Sequence, residues 1–92
     1  MIQSFLCKDT GKLFHGVRVR RWVGIERAAM IKLQLLHAAP SLAFLLVPPG
    51  NRLEALKGDR KGQHSIRIND QWRLCFVWTD SGPAQVEIVD YH

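Results

Sequence analysis

The sequence closes on the run AQVEIVDYH, so its last three residues are an acid, a phenol and an imidazole: Asp90, Tyr91 and His92. Strand alternation places Val86, Ile88, Asp90 and His92 on one face, with Glu87, Val89 and Tyr91 on the other. Twist at a strand end lets the Tyr91 hydroxyl reach the same cleft. The preceding run, QWRLCFVWT, meets this one through the turn DSGP, and a hairpin folded there sets Arg73 opposite a residue in the range 88–91. Lys57 ends an earlier run, just before a polar turn, and reaches the same edge. Two cations beside an acid, a phenol and an imidazole suit phosphodiester cleavage. A guanidinium binds non-bridging phosphate oxygens and stabilises the charge that builds in the transition state. An imidazole moves protons near neutral pH, and an acid orients it or acts as base. On RNA the neighbouring 2′-hydroxyl is a built-in nucleophile, so the reaction needs no metal and no cofactor. On spacing alone this signal is weak, and a solvated strand end with ordinary surface charges is the favoured reading.

The elements that must position these groups follow from pattern. MIQSFLC reads as a short strand. KDTGKLFHG predicts a short helix, capped by Asp9 or Thr10 and ended by Gly16. From Trp22 to about Ala39 the apolar residues Trp22, Ile25, Ala29, Leu33 and Leu36 recur at spacings of three and four, which predicts a long helix. Pro40 ends it, or begins a short turn through SLAFLL. VPPGNR breaks any regular element. Beyond it the pattern turns to strands: RLEALKG, HSIRI, QWRLCFVWT and AQVEIVDYH, joined by GDRKGQ, ND and DSGP. In the third of these, Trp72, Leu74, Phe76 and Trp78 share one face, and Arg73, Cys75 and Val77 the other. Tight turns make neighbouring strands antiparallel. The early helices must cover one sheet face, leaving the other for ligand or solvent. The class is α+β.

The 92 residues fit a single domain, residues 1–92, and 47% are apolar, which excludes a disordered tail. The net charge of +5 favours a polyanionic partner without choosing one. No signal peptide is expected from MIQSFLCKDTGK, and the longest apolar run, LAFLLV, is too short to span a bilayer. Cys7 and Cys75 read as buried free thiols in a reducing cytoplasm, and no Cys/His cluster has metal-ligand spacing. Arg18, Arg20 and Arg21 flank the long helix, while Arg52, Arg60, Lys61 and Arg67 crowd the strand turns. They suit either a solvated surface or contact with RNA phosphates. Trp72 and Trp78 read as core, and His15 and His37 as surface or helix-end residues.

Beginning at MIQSF and densest from Pro49 onward, the sequence resembles the HigB-type branch of the RelE/ParE superfamily of bacterial toxins, with PPGNRLEALKGDRKGQHSIRINDQWRLCFVW and VEIVDYH similar almost segment for segment. LEALKGDR, WR and the terminal DYH are specific in combination. The resemblance is weaker through residues 10–47. It implies a RelE-like microbial RNase fold, a twisted, mainly antiparallel sheet with two N-terminal helices on one face. It implies a toxin of a type II toxin–antitoxin system, a cytoplasmic endoribonuclease that cuts mRNA in the ribosomal A site. Its expected partners are the ribosome, mRNA and a HigA-like antitoxin with a helix-turn-helix domain, which links the complex to operator DNA. No membrane is involved. Carried onto this sequence, the active-site positions are Lys57, Arg73, Asp90, Tyr91 and His92. Lys57 and Arg73 would stabilise the phosphate, Asp90 and His92 would share the proton transfers, and Tyr91 would stack on or position a base. The seven arginines and lysines above would meet ribosomal RNA. Some members carry histidine where this chain has Glu54 and asparagine where it has Gln71. Two rival readings share the fold: a ParE-like toxin that poisons DNA gyrase, which needs no acid–imidazole pair, and a catalytically weak RNA-binding relative.

Overall fold

The computed structural model describes residues 1–90. Among them are two α-helices, α1 (Lys8–Phe14) and α2 (Glu26–Ala38), and four strands, β1 (Glu54–Ala55), β2 (His64–Arg67), β3 (Trp72–Thr79) and β4 (Gly82–Asp90). The strands form one antiparallel sheet in the order β1-β2-β3-β4. This is the expected α+β arrangement, with both helices ahead of the sheet. No described helix is long and apolar enough to cross a membrane.

Helix α1 forms where predicted, but with a different cap. Cys7, in extended conformation, holds the N-cap position without a side-chain capping bond. Asp9 lies in the first turn, where its charge faces the positive helix end. Thr10 is fully buried, and its hydroxyl accepts the Ile88 backbone N–H at 3.1 Å. A tertiary partner on β4 therefore claims the hydroxyl that local capping would have used. The helix ends as expected at Gly16, whose φ of +86° only glycine adopts cheaply. There the Gly16 N–H bonds the Leu13 carbonyl and the Val17 N–H the Lys12 carbonyl, the paired bonds of a Schellman motif.

The predicted long helix is split. Arg20–Ile25 wind as a 3-10 segment and the α-helix begins only at Glu26. Gly24, flanked by β-branched Val23 and Ile25, makes this a poor α-helical stretch. The apolar stripe survives the change in winding. Trp22, Ala29, Leu33 and Leu36 are fully buried, and they pack with Ile66, Leu74, Phe76, Val86 and Ile88 of the sheet. The segment past Pro40 makes a 3-10 turn, Ala43–Leu46, and PPGN makes another, Pro49–Asn51. Asn51 is fully buried. Its side chain accepts a bond from the Lys32 ammonium of α2 and donates one to the Leu45 carbonyl at 3.2 Å, which ties this irregular stretch to α2.

Two strand expectations need correction. RLEALKG is paired only at Glu54–Ala55, because a 3-10 turn, Gly58–Arg60, follows almost at once. MIQSFLC is not a strand. It runs parallel to β4, with a single bridge from Phe5 to Val86 and bonds from Gln3 N–H to Pro83 O (2.8 Å) and Leu6 N–H to Val86 O (3.0 Å). The cause is a bulge in β4. Cys75 pairs with Glu87 but Val77 pairs with Ala84, so two steps on β3 match three on β4. Gln85 takes the strained φ of +52°, and its N–H turns out to the Ser4 hydroxyl at 2.9 Å. That irregular edge cannot template a regular neighbour.

The sheet face away from the helices is not left bare, contrary to expectation. Ser65, Arg73 and Cys75 are buried there at 0%, 6% and 4% exposure. Their alternation with Ile66, Leu74 and Phe76 puts them on that face. Strand β1 extends the sheet at its edge beside β2, and the turn at Arg52 that precedes it reaches this face, where the Arg52 carbonyl accepts a bond from Arg73.

Candidate active-site cleft

The hairpin register is as the turn predicts. Arg73 pairs with Val89, and Trp72 with Asp90. Strict alternation would then set Arg73 and Asp90 on opposite faces, but the strand end brings Asp90 to a cleft on the face away from the helices. Its walls are Glu54, Leu56, Lys57, Arg60, Ser65, Cys75, Val89 and Asp90, and it encloses ≈ 360 Å³. Lys57 and Asp90, predicted from sequence, are thus brought together. The Gln71 amide donates to the Asp90 carboxylate at 3.3 Å. Tyr91 and His92 lie outside the described residues.

Arg73 is placed differently from the prediction. It sits behind Ser65 rather than on the cleft wall, with its Nε donating to the Ser65 hydroxyl at 2.8 Å. Its Nη2 donates to the Arg52 carbonyl at 2.6 Å and to the Ser65 carbonyl at 3.3 Å. A buried guanidinium must be bonded in this way or its desolvation is prohibitive. Arg52 adopts a left-handed backbone, φ 46°, which turns its carbonyl toward Arg73. A bidentate grip on phosphate through the Nε–Nη2 edge would require these bonds to break. In the arrangement seen, Arg73 fixes the cleft floor and adds positive charge from beneath.

The basic residues separate into groups. Arg60 lines the cleft. Arg52 is exposed at its turn, Lys61 is exposed at the next, and Arg67 pairs with Asp70 at the β2–β3 turn. Arg18, Arg20 and Arg21 lie on the helical side. Arg18 is 3.5 Å from Glu26, and Arg21 is 3.5 Å from Asp9 and stacks over Trp22 at 4.3 Å. Arg18 rims a separate, mainly apolar groove between α1 and α2, lined by Leu13, Val17, Met30 and Ile31 among others. The seven cations therefore do not form one patch.

Sequence reasoning missed Ser65, Cys75 and Glu87, and it placed Arg60 with the surface cations. Burial pushes the Cys75 thiol up, with nearby Arg60 opposing and Glu87 reinforcing the shift. The thiol is therefore protonated near neutral pH and no nucleophile. One signal was available for Arg60. It follows Lys57 by three residues across Gly58, and residues three apart in a 3-10 turn lie on one side.

The family described as the RelE-like toxin of the type II toxin–antitoxin system HigB matches residues 16–92. Toxin HigB-1 of Vibrio cholerae serotype O1 is 48% identical over 68 residues, which span 74% of this chain and 70% of that protein. With a matching helix-then-sheet architecture and a family match across most of its length, the chain belongs to the HigB-like family: it is a RelE-like toxin of a type II toxin–antitoxin system, whose partner is an antitoxin.

Proposed function

We propose that this toxin is a ribosome-dependent, metal-independent endoribonuclease that cleaves mRNA in the ribosomal A site and so stops translation in the cytoplasm. The observation that carries the reading is the cleft in which Lys57 and Asp90 meet over a floor held by Arg73. Cleavage transfers the adjacent 2′-oxygen to phosphorus. The P–O5′ bond breaks, a 2′,3′-cyclic phosphate forms, and the 5′-oxygen leaves as a hydroxyl. Asp90 and His92 share the two proton transfers, one taking the 2′-hydroxyl proton and the other supplying the 5′-oxygen. Lys57 stabilises the added negative charge on the phosphate, and Arg73 contributes its field from the floor. Tyr91 positions the base. The ribosome and mRNA are the working partners, with Arg18, Arg20, Arg21, Arg52, Lys61 and Arg67 available to ribosomal RNA phosphates. A HigA-like helix-turn-helix antitoxin neutralises the toxin and carries the complex to operator DNA.

The test is to map mRNA 5′ ends in cells after brief expression of wild type and of His92→Ala. Cuts in codon register within translated regions, absent in the variant, are expected. Intact mRNA with arrested replication would overturn the reading in favour of a gyrase poison.

A further inference from the structure

Arg60 stands apart from the other surface cations. It closes the Gly58–Arg60 turn, where its N–H bonds the Lys57 carbonyl at 3.2 Å. Gly58, with φ +63°, lets the chain reverse so that both side chains reach one cleft. The guanidinium is fixed at two points. Its Nη1 donates to the Glu87 carboxylate at 2.8 Å and to the Gln63 amide oxygen at 3.0 Å. Among the described residues, both of its side-chain bonds run through Nη1, which leaves Nη2 and Nε with donors to offer on a residue that lines the cleft. The Arg60 side chain is 38% exposed and that of Glu87 only 18%, which puts the carboxylate beneath and the guanidinium toward solvent. Glu87 lies opposite Cys75 in the sheet, and Cys75 itself lines the cleft. Such a guanidinium is held by one edge and open at the other. That is the geometry in which arginine binds a phosphate with little ordering cost.

We propose that Arg60 binds a phosphate of the RNA strand in the cleft beside Lys57, and that Glu87 is the positioning residue that aims it. The proposal rests on the endoribonuclease reading for its substrate. The ion pair is not a surface ornament, because it spans the turn that carries Lys57 and the strand that carries Asp90.

The test is titration of the full-length toxin with a short 2′-O-methyl RNA, which binds but cannot be cut, over a series of salt concentrations. Arg60→Ala should weaken binding roughly tenfold and lower the slope of log affinity against log salt by about 0.7, the loss of one phosphate contact on a single strand. Arg60→Gln keeps much of the side chain's length and repeats the measurement should Arg60→Ala not fold. Glu87→Gln keeps an acceptor for Nη1 and should bind at least as tightly as wild type. Glu87→Ala should bind about threefold or more weakly with the salt slope retained, since the charge remains but is no longer aimed. An unchanged slope and affinity in Arg60→Ala would overturn the role of Arg60. Equal affinity of Glu87→Ala and wild type would overturn that of Glu87. Cleavage by the wild type on translating ribosomes is scored separately. Its absence, with the oligonucleotide still bound through Arg60, would sink the nuclease reading alone.

Discussion

At the scale of single residues, burial divides the polar groups of the sheet face into those that hold the cleft and those left open at its rim. Arg73 and Ser65 are buried and bonded to each other, and Arg73 also bonds the Arg52 turn, while Lys57 and Asp90 are exposed at the rim. Cys75 belongs with the first group. Its thiol is raised by burial, so the folded state favours the neutral form and the unfolded chain ionises first. The stability this contributes is fully present below the unfolded value, about pH 8.5, and is lost as pH rises through the higher folded value. Urea midpoints of the wild type should therefore fall above about pH 8.5 more steeply than those of Cys75→Ala. Parallel curves for the two proteins would remove Cys75 as the cause.

At the scale of elements, irregular segments are held by buried side chains rather than by repeating backbone ladders. The loop from Leu42 to Arg52 has only short 3-10 turns of its own. Asn51 anchors it by bonding both the Lys32 ammonium and the Leu45 carbonyl. Asn51→Ala removes both bonds and leaves a buried carbonyl short of a partner, so it should cost about 2–3 kcal/mol in urea unfolding. It should also loosen the Arg52 turn, whose carbonyl receives Arg73. A loss under about 0.5 kcal/mol, the size of an ordinary surface change, would show that the loop is held by other contacts. The β4 bulge works the other way. By turning Gln85 outward it gives residues 1–7 a partial, parallel attachment instead of a fifth regular strand.

At the scale of the whole molecule, the sheet separates the apolar core from the candidate active-site cleft. Its helix face carries the apolar core with Leu33, Leu36 and Trp22, and its other face carries the cleft. Substitutions should divide along that line. Leu33→Ala should lower unfolding free energy by about 2–5 kcal/mol, with the protein that remains folded cutting at the wild-type rate. Lys57→Ala, at an exposed position, should leave stability within about 0.5 kcal/mol and reduce cleavage on the ribosome tenfold or more. Unfolding curves paired with single-turnover cleavage separate the two. Equal losses of stability and rate in both variants would mean that core and cleft are one cooperative unit.

The sequence by itself determined the fold class, the helix stripe and the pairing of the last two strands. These rest on local rules: apolar period, turn chemistry and the two-residue alternation of strands. The nearness of Arg73 to the end of β4 was legible for the same reason, since a two-strand hairpin fixes register. The terminal DYH pointed to the proposed chemistry only through its resemblance to a family. Only the tertiary structure decided that Arg73 lies under the cleft and Arg60 in it, because burial depends on distant partners such as the Arg52 turn and Ser65 and not on strand parity. Thr10 was likewise lost as a helix cap because Ile88, 78 positions away, claims its hydroxyl. Residues 1–7 failed as a strand because a bulge at Gln85 spoils the edge they would pair with. In each case a contact between distant residues outweighed a local preference, and a contact of that kind has no signature in the neighbouring residue types.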